Sequence, residues 1–457
     1  MKRSTKIMPE EANKHYKLED VSLLNDKQVI VDIIRHFEMY QLPRLELLEE
    51  YYAFRNDYIN NRPPRRNPEK ADHRASHGFA HTITGFHVSY LTGIPIRVES
   101  EDENVTEFIQ NFNAANDIDA HHADLATDLS KYGRAFELLH RGDETRVYLS
   151  NPYWTIVIYD ESIEFNPIAA IRFPKVQRDN GVKYSITLYT SDTVTRYRPC
   201  ELVAEDMIEE DITAHAFGQV PIVEYSHNRF RVGDYEPVLT EIDLYDSAQS
   251  DSANYMTDTN DAMLVISGDF KASSVEYNRD VDALLLESGE DSQGRQTGLD
   301  AKYVYKQYDV AGTEAYKKRI ERDIYKFSKT PDLTAENFVG NQSGEAAKFQ
   351  MIAPEQARSL KERIMVKGFN RRYKMVSELA STIREFTDDI GRLNYTFTPN
   401  LPESIAEDLN AFVNAGGRVS NKTLLSQLPF VNDVNEELKN IEDEDNNWLP
   451  TDATREA

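Results

Sequence analysis

The sequence predicts an α+β chain of several domains. Apolar residues recur at helical spacing in the first hundred and the last two hundred residues. Between Val98 and Val223 the pattern changes to short runs of β-branched and aromatic residues bounded by Gly, Asp, Asn and Pro. With 457 residues there is length for two to four domains and a sizeable core.

From Val29 to Asn61, Ile33, Ile34, Phe37, Tyr40, Leu45, Leu48, Tyr51 and Phe54 lie on helical spacing, and Pro43 is expected to break or kink the run. A basic loop, residues 62–74, follows. A helix is expected from His73 to Leu91, with Gly93 as its C-cap and Pro95 unable to continue it. Val105–Asn116 and Ala120–Tyr132 read as helices. Phe136–Leu139, Thr145–Leu149, Thr155–Tyr159, Ala169–Phe173, Tyr184–Tyr189 and Thr193–Tyr197 read as strands of a largely antiparallel sheet.

A long helix is expected from Asp234, with Asp234 as N-cap and Pro237 in the first turn. Asp234 to Asp261 holds eight acids (Asp234, Glu236, Glu241, Asp243, Asp246, Asp251, Asp258, Asp261) and no Lys or Arg. Such a helix gains nothing from ion pairs of its own. Its acids either face solvent or meet a polar cavity or a basic partner. A compact module, Met263–Asp309, comes next: strand-like Leu264–Ser267 and Tyr303–Lys306 flank a helical or irregular Ser274–Leu286 and a loop. A second helix, Thr313–Ser328, ends at Pro331. The stretch 332–343 reads as a loop. A very long helix from Glu345 to about Glu385 is expected to kink at Pro354. Its middle is basic. Further helices are expected at Ile405–Ala415 and Asn421–Leu428, before an acidic run and a disordered end.

The formal net charge is −26, which argues against a protein that coats DNA through a basic surface. The single cysteine, Cys200, excludes an intrachain disulfide and a Cys-based zinc site. No signal peptide and no membrane span are expected. No phosphate-binding Gly-rich motif is present: residues 340–345 lack the spacing and the lysine. His121-His122 and the series His73, His77, His81, His87 read as surface or packing histidines rather than metal ligands. No cofactor, metal or catalytic residue is expected, and the chain reads as a non-enzyme.

Two helices bracketing a small module, then a loop and a long helix, is a way to build a protruding stalk. In this setting several segments resemble the portal proteins of tailed bacteriophages of the SPP1 type: Val88-Ser-Tyr-Leu-Thr-Gly-Ile-Pro-Ile; Tyr132-Gly-Arg-Ala-Phe-Glu-Leu with Asn151-Pro, Val157-Ile-Tyr-Asp and Ala170-Ile-Arg-Phe; Val220-Pro-Ile-Val-Glu-Tyr leading to Asp246-Ser-Ala-Gln-Ser-Asp-Ser-Ala-Asn and Ala262-Met-Leu-Val-Ile-Ser-Gly; and Ser343-Gly-Glu-Ala-Ala-Lys-Phe before Arg371-Arg-Tyr-Lys.

The resemblance implies a portal-type subunit with a mixed α/β wing (1–230), a helical stem (231–262 and 312–330), a small clip (263–311), a tunnel loop (331–344), a long kinked wing helix (345–390) and a mostly helical crown with an acidic tail (391–457). It implies a ring, usually of twelve copies, at one capsid vertex of the virion, assembled in the host cytoplasm. Double-stranded DNA would pass through the ring. The terminase large subunit, a head completion or adaptor protein, and the major capsid and scaffolding proteins would dock on it, with no membrane involved. Asn337, Asn341, Gln342, Lys329 and Lys348 are the residues expected to meet DNA. Arg358, Arg363, Lys367, Arg371 and Arg372 are expected to pair with Asp243, Asp246 and Asp251 of a neighbouring copy. Multiplied around a ring, the acidic excess would repel DNA, which carries one charge per ~1.7 Å of axis, and favour sliding. Readings from other classes are a metal-dependent phage nuclease and a head-assembly protein with no DNA channel.

Overall fold

The computed structural model describes residues 10–65, 70–178, 181–259, 309–332 and 350–400, four backbone strands between 263 and 304, and a few residues beyond 400. The chain divides into two units, Met1–Asn400 and Leu401–Ala457. The first is described here. The helices expected at 405–415 and 421–428 lie outside the described residues, as do residues 333–349.

The helices are α1 (Lys27–His36), α2 (Leu42–Tyr52), α3 (Asp57–Asn60), α4 (Phe79–Thr92), α5 (Glu103–Ala115), α6 (Ile118–Tyr132), α7 (Leu239–Thr259), α8 (Val310–Phe327) and α9 (Ile352–Thr382). Asp26 caps α1 by accepting from the Gln28 N–H. Between α1 and α2 the backbone opens into a π turn, Phe37–Gln41, and Pro43 sits in the first turn of α2. The wider turn accommodates the upstream carbonyl that proline, having no N–H, cannot engage. Helix α4 begins at Phe79, later than expected, because the backbone N–H groups of His73, Ala75 and His77 donate to α7 side chains instead of closing helical turns.

Two corrections concern the long helices. Asp234 does not cap α7: a 3-10 turn, Glu236–Val238, precedes that helix, and Asp234 is buried. Helix α8 starts at Val310, capped by Asp309 through the Gly312 N–H. Pro354 lies in the first turn of α9, where its missing N–H has no intrahelical acceptor to lose; Gln350 is helical and Met351 is a turn, and the helical residues expected before 350 lie outside the described residues.

A six-stranded sheet runs in the order β1 (Tyr16–Lys17), β5 (Thr155–Tyr159), β6 (Pro167–Arg172), β9 (Thr187–Tyr189), β10 (Thr193–Tyr197), β11 (Glu209–Ala214). Its pairs are antiparallel except β1 with β5. The expected strand 184–189 is split: β8 (Gly181–Tyr184) pairs with β7 (Lys175–Arg178), and β9 returns to the large sheet. A second antiparallel sheet has the order β12 (Ile222–Ser226), β3 (Arg134–Arg141), β4 (Thr145–Ser150). Strand β17 (Asn394–Thr396) pairs with β2 (Arg97–Glu99), so the residues up to 400 belong to the first unit.

The module between α7 and α8 is a four-stranded sheet in the order β14 (Glu276–Asn278), β15 (Ala283–Glu287), β13 (Met263–Gly268), β16 (Asp300–Val304). The segment 274–286, expected to be helical or irregular, supplies β14 and most of β15. A short apolar run such as Leu284-Leu285-Leu286 has no period that separates strand from helix.

One core lies between the six-stranded sheet and α1, α2, α4, α7 and α8, with Ile34, Phe37, Ile83, Ile158, Ile171, Ile242 and Ile324 fully buried or nearly so. A second gathers α5, α6, β3 and α9 around Ile109, Leu125, Met365 and Phe369. Helices α7 and α8 form a hairpin. Lys317 donates to Gln249 at 2.8 Å, while Tyr245 and Tyr325 both edge onto Phe79. Rising along one helix is therefore descending along the other.

Candidate functional site: the charged seam beneath the helix hairpin

The acidic helix α7 meets a partner from its own chain. The extended strap 73–77 donates backbone N–H groups to α7 side chains: His73 to Asn254 Oδ1 (2.8 Å), Ala75 to Ser250 Oγ (2.9 Å) and His77 to Asp246 Oδ1 (3.2 Å). The basic loop before it adds Arg62 to Asp251 at 3.4 Å and Arg65 to Asp258 at 2.5 Å. Asp246 is fully buried, accepting also from Asn56 Nδ2 (2.7 Å) and paired with His77 Nδ1 (2.6 Å). Asp243 is buried and accepts from the Tyr51 hydroxyl at 2.7 Å.

Burial, then the neighbouring Asp246, pushes the Asp243 carboxyl up to about 8 from its ordinary 3.8. The folded chain thus holds a proton there that the unfolded chain releases. Its stabilising contribution is complete below the unfolded value and is lost as pH rises through about 8. Asp243→Asn keeps an oxygen for Tyr51 and removes the charge. Relative to the parent it should gain on the order of 1 kcal/mol in alkaline buffer and little in acid. Urea unfolding of both chains across pH measures this.

The base of the hairpin is tied to α9 by a second node. Lys361, buried, donates to Asp234 Oδ2 at 2.8 Å, and His227 Nε2 lies 3.2 Å from Asp234 Oδ1. His87, on α4, donates from Nε2 to the Ser328 carbonyl at 3.0 Å, where α8 ends, with Asp234 Oδ1 3.9 Å away. Burial would raise the Asp234 pKa, but His87, Lys361 and His227 outweigh it and hold the carboxylate ionised. A cavity of about 340 Å³ opens beside this node, walled by Phe327, Lys329, Leu360 and Ile364.

A third node lies in the second core. Arg372 and Glu137 are both fully buried and paired at 2.8 Å. Glu137 also accepts from the Tyr225 hydroxyl (2.7 Å) and contacts His121 Nε2 (2.9 Å). Arg372 Nη2 donates to His122 Nε2 at 2.8 Å. An arginine has only donors, so that nitrogen accepts and His122 is neutral. Burial and then Arg372 push the His122 pKa well down, in agreement. The two adjacent histidines expected at the surface are thus structural. Among the described residues no group of three or more His, Cys, Asp or Glu side chains is placed to hold a metal ion.

The charged residues expected between subunits are therefore not one surface. Arg372, Asp243 and Asp246 are buried with partners inside the chain, because each lies on the inward face of its helix. Arg371 is half-buried and donates to the Val220 carbonyl at 3.1 Å. Arg358 pairs along its own helix with Glu355 and Glu362. Arg363 and Lys367 are exposed on α9, and Asp251 is exposed on α7 beside Arg62. Lys329 is exposed just past α8, in a left-handed conformation with φ 57°. Asn337, Asn341, Gln342 and Lys348 lie outside the described residues. Sequence reasoning missed Glu137 and Arg44, and reads His87 only as a surface or packing histidine. The signal at Glu137 was a single acid inside the run Ala-Phe-Glu-Leu-Leu, whose neighbours demand burial.

Residues 32–448 match the family model described as phage portal protein, SPP1 Gp6-like. The chain is 25% identical over 429 residues to the portal protein of Clostridium phage phiCD119, covering 86% of this chain and 91% of that one. It is 23% identical over 398 residues to the portal protein of Bacillus phage SPP1, covering 83% and 77%. Among solved structures, a chain from the neck of an empty GTA particle computed with C6 symmetry superposes with a TM-score of 0.44 at 10% identity, covering 83% of this chain and 91% of that chain.

Proposed function

Since the chain belongs to the SPP1 Gp6-like family of phage portal proteins, we propose that it assembles into a closed ring, usually of twelve copies, at one vertex of a capsid and forms the channel through which double-stranded DNA is packaged and ejected. The observation that carries this reading is the helical hairpin α7–α8 interrupted by a separate four-stranded sheet, within a family match that spans nearly the whole chain. In it, α7 and α8 are the stem, the sheet β13–β16 is the clip, residues 1–230 with α9 are the wing, and 331–344 are the tunnel loop. The C-terminal unit is the crown. The terminase large subunit, the adaptor protein and the capsid and scaffolding proteins are the partners this reading supplies. No described helix is long and apolar enough to cross a membrane.

Contacts between copies fall to the exposed charges, Arg363 and Lys367 on one side and acids such as Asp251 on the other. Light scattering or native mass spectrometry of the purified chain, with electron microscopy, should show closed rings with a central hole. A strictly monomeric chain at tens of micromolar across buffers would sink the proposal. Arg363→Glu with Lys367→Glu should lower the salt concentration at which rings dissociate, since charge reversal sets like charges face to face. Deleting residues 336–342 should leave ring mass unchanged and reduce DNA retained in particles. Full genomes in such particles would make 332–343 an ordinary surface loop.

A further inference from the structure

Buried polar atoms with no hydrogen-bond partner concentrate in one place. Among the described residues, leaving out Glu224 Oε1, which Arg231 holds in an ion pair, six of the twelve remaining atoms belong to Asn13, His15, Arg44, Arg134 and Arg231. These residues lie together beneath the N-terminal strand β1. Arg231 Nη1 reaches the Lys14 carbonyl at 3.3 Å, and Gln41 Nε2 donates to the same carbonyl at 2.9 Å. Arg44 Nη2 donates to the Arg231 carbonyl at 2.9 Å.

The charges there do not balance. Arg44 takes both oxygens of Glu236, at 2.7 and 2.5 Å, and Arg231 takes Glu224 at 2.7 Å. Arg134 is 1% exposed, and its hydrogen bond goes to a neutral amide, Gln41 Oε1, at 2.6 Å. Its Nε and Nη2 donors, and Nε of Arg231, are unpartnered. Three guanidinium groups thus face two carboxylates. His15 adds no charge: burial, then Arg231, pushes its pKa down to about 4. Burial, then Arg231 and Arg44, likewise pushes the Arg134 pKa well below its ordinary range, which marks a cation with inadequate compensation.

We propose that this cluster binds a small inorganic anion, of halide size, against the unpartnered edge of the Arg134 guanidinium, and so fastens the N-terminal strand to the body of the chain. A single-atom anion can receive several convergent N–H donors and supplies the one missing negative charge. A water molecule could accept from the same donors but would leave the charge uncompensated.

The test uses the full chain and two variants, Arg134→Gln and Arg134→Lys. Thermal unfolding is followed as chloride replaces methanesulfonate at constant ionic strength. For the parent, the midpoint should rise on the order of 2 °C per tenfold chloride above half-saturation, as expected when a ligand binds the folded state alone. Arg134→Gln, which removes the excess charge, should show no chloride dependence; Arg134→Lys should keep part of it. If the glutamine variant fails to fold, bromide-soaked crystals of the parent decide. An anomalous peak within hydrogen-bonding distance of Arg134 supports the site. A parent midpoint indifferent to chloride, equal dependence in parent and Arg134→Gln, or no bromide peak would overturn it and leave ordinary water as the occupant.

Discussion

Arg372→Met should destabilise the folded chain by about 3–5 kcal/mol, because it strands the Glu137 carboxylate in a site with no solvent. Methionine fills much of the volume, so the loss is electrostatic more than steric. Tyr225 and His121 still contact Glu137, at 2.7 and 2.9 Å, but neither supplies a permanent positive charge. Burial alone would raise the Glu137 pKa; Arg372, followed by His121, outweighs burial and holds it at about 2 against an ordinary 4.5. The pair's contribution is therefore present above the unfolded value and lost as pH falls from about 4.5 towards 2. In Arg372→Met, burial is left opposed only by the weaker partners, the pKa rises, and acid unfolding should shift to higher pH. Adding Glu137→Gln should recover part of the loss, and the double-mutant cycle isolates the coupling. A single-variant loss below about 1 kcal/mol would show that water reaches the pair.

Gly133→Ala should be comparably damaging for a different reason. Gly133 ends α6 at φ 73°, where an L-residue costs roughly 1–2 kcal/mol. A β-carbon there would come 2.1 Å from the Arg231 carbonyl oxygen and 2.6 Å from the Val232 nitrogen. Both are backbone atoms, so no side chain can swing aside, and the loop before α7 must move. Overpacking of this kind adds about 1–3 kcal/mol. A lowered urea midpoint at fixed protein concentration is the expected result. Gly142→Ala, where nothing lies within 4 Å and φ is unremarkable, serves as the control.

The two predictions mark what could and could not be read from sequence. The strands Thr155–Tyr159 and Thr193–Tyr197 were legible to the residue, since β-branched and aromatic runs between turn residues leave little choice. Strand β11 was not. Glu209-Glu210-Asp211 is exposed throughout on a sheet edge, so burial imposes no apolar alternation on it. The basic middle of α9 was visible as charge but not as placement. Helical spacing puts Lys361, Met365, Phe369 and Arg372 on one inward stripe, with Arg363 and Lys367 outside it. Two stripe members are cations, and only their partners, more than a hundred residues away, make burial tolerable. The strap at residues 73–77 reads in sequence as the start of a helix, because its donors are satisfied by α7 side chains that no local pattern announces.

That strap and α7 behave as two rulers with nearly equal divisions. Extended chain advances ~6.6 Å per two residues, and a helix ~6 Å per four. Residues 73, 75 and 77 can therefore meet 254, 250 and 246 in turn while slipping only ~0.6 Å at each mark. Centred on the middle mark, the outer two miss by ~0.6 Å each, close to the ~0.5 Å range of a hydrogen-bond length, and one further mark at each end would double the miss to ~1.2 Å. The match is a vernier that coincides over a few graduations and nowhere else. It sets a ceiling on the strap's length, and α4 takes over at Phe79, two residues past the last mark. Deleting one residue between 74 and 76 would turn the remaining N–H groups away from the helix, so this segment tolerates changes of two residues better than changes of one.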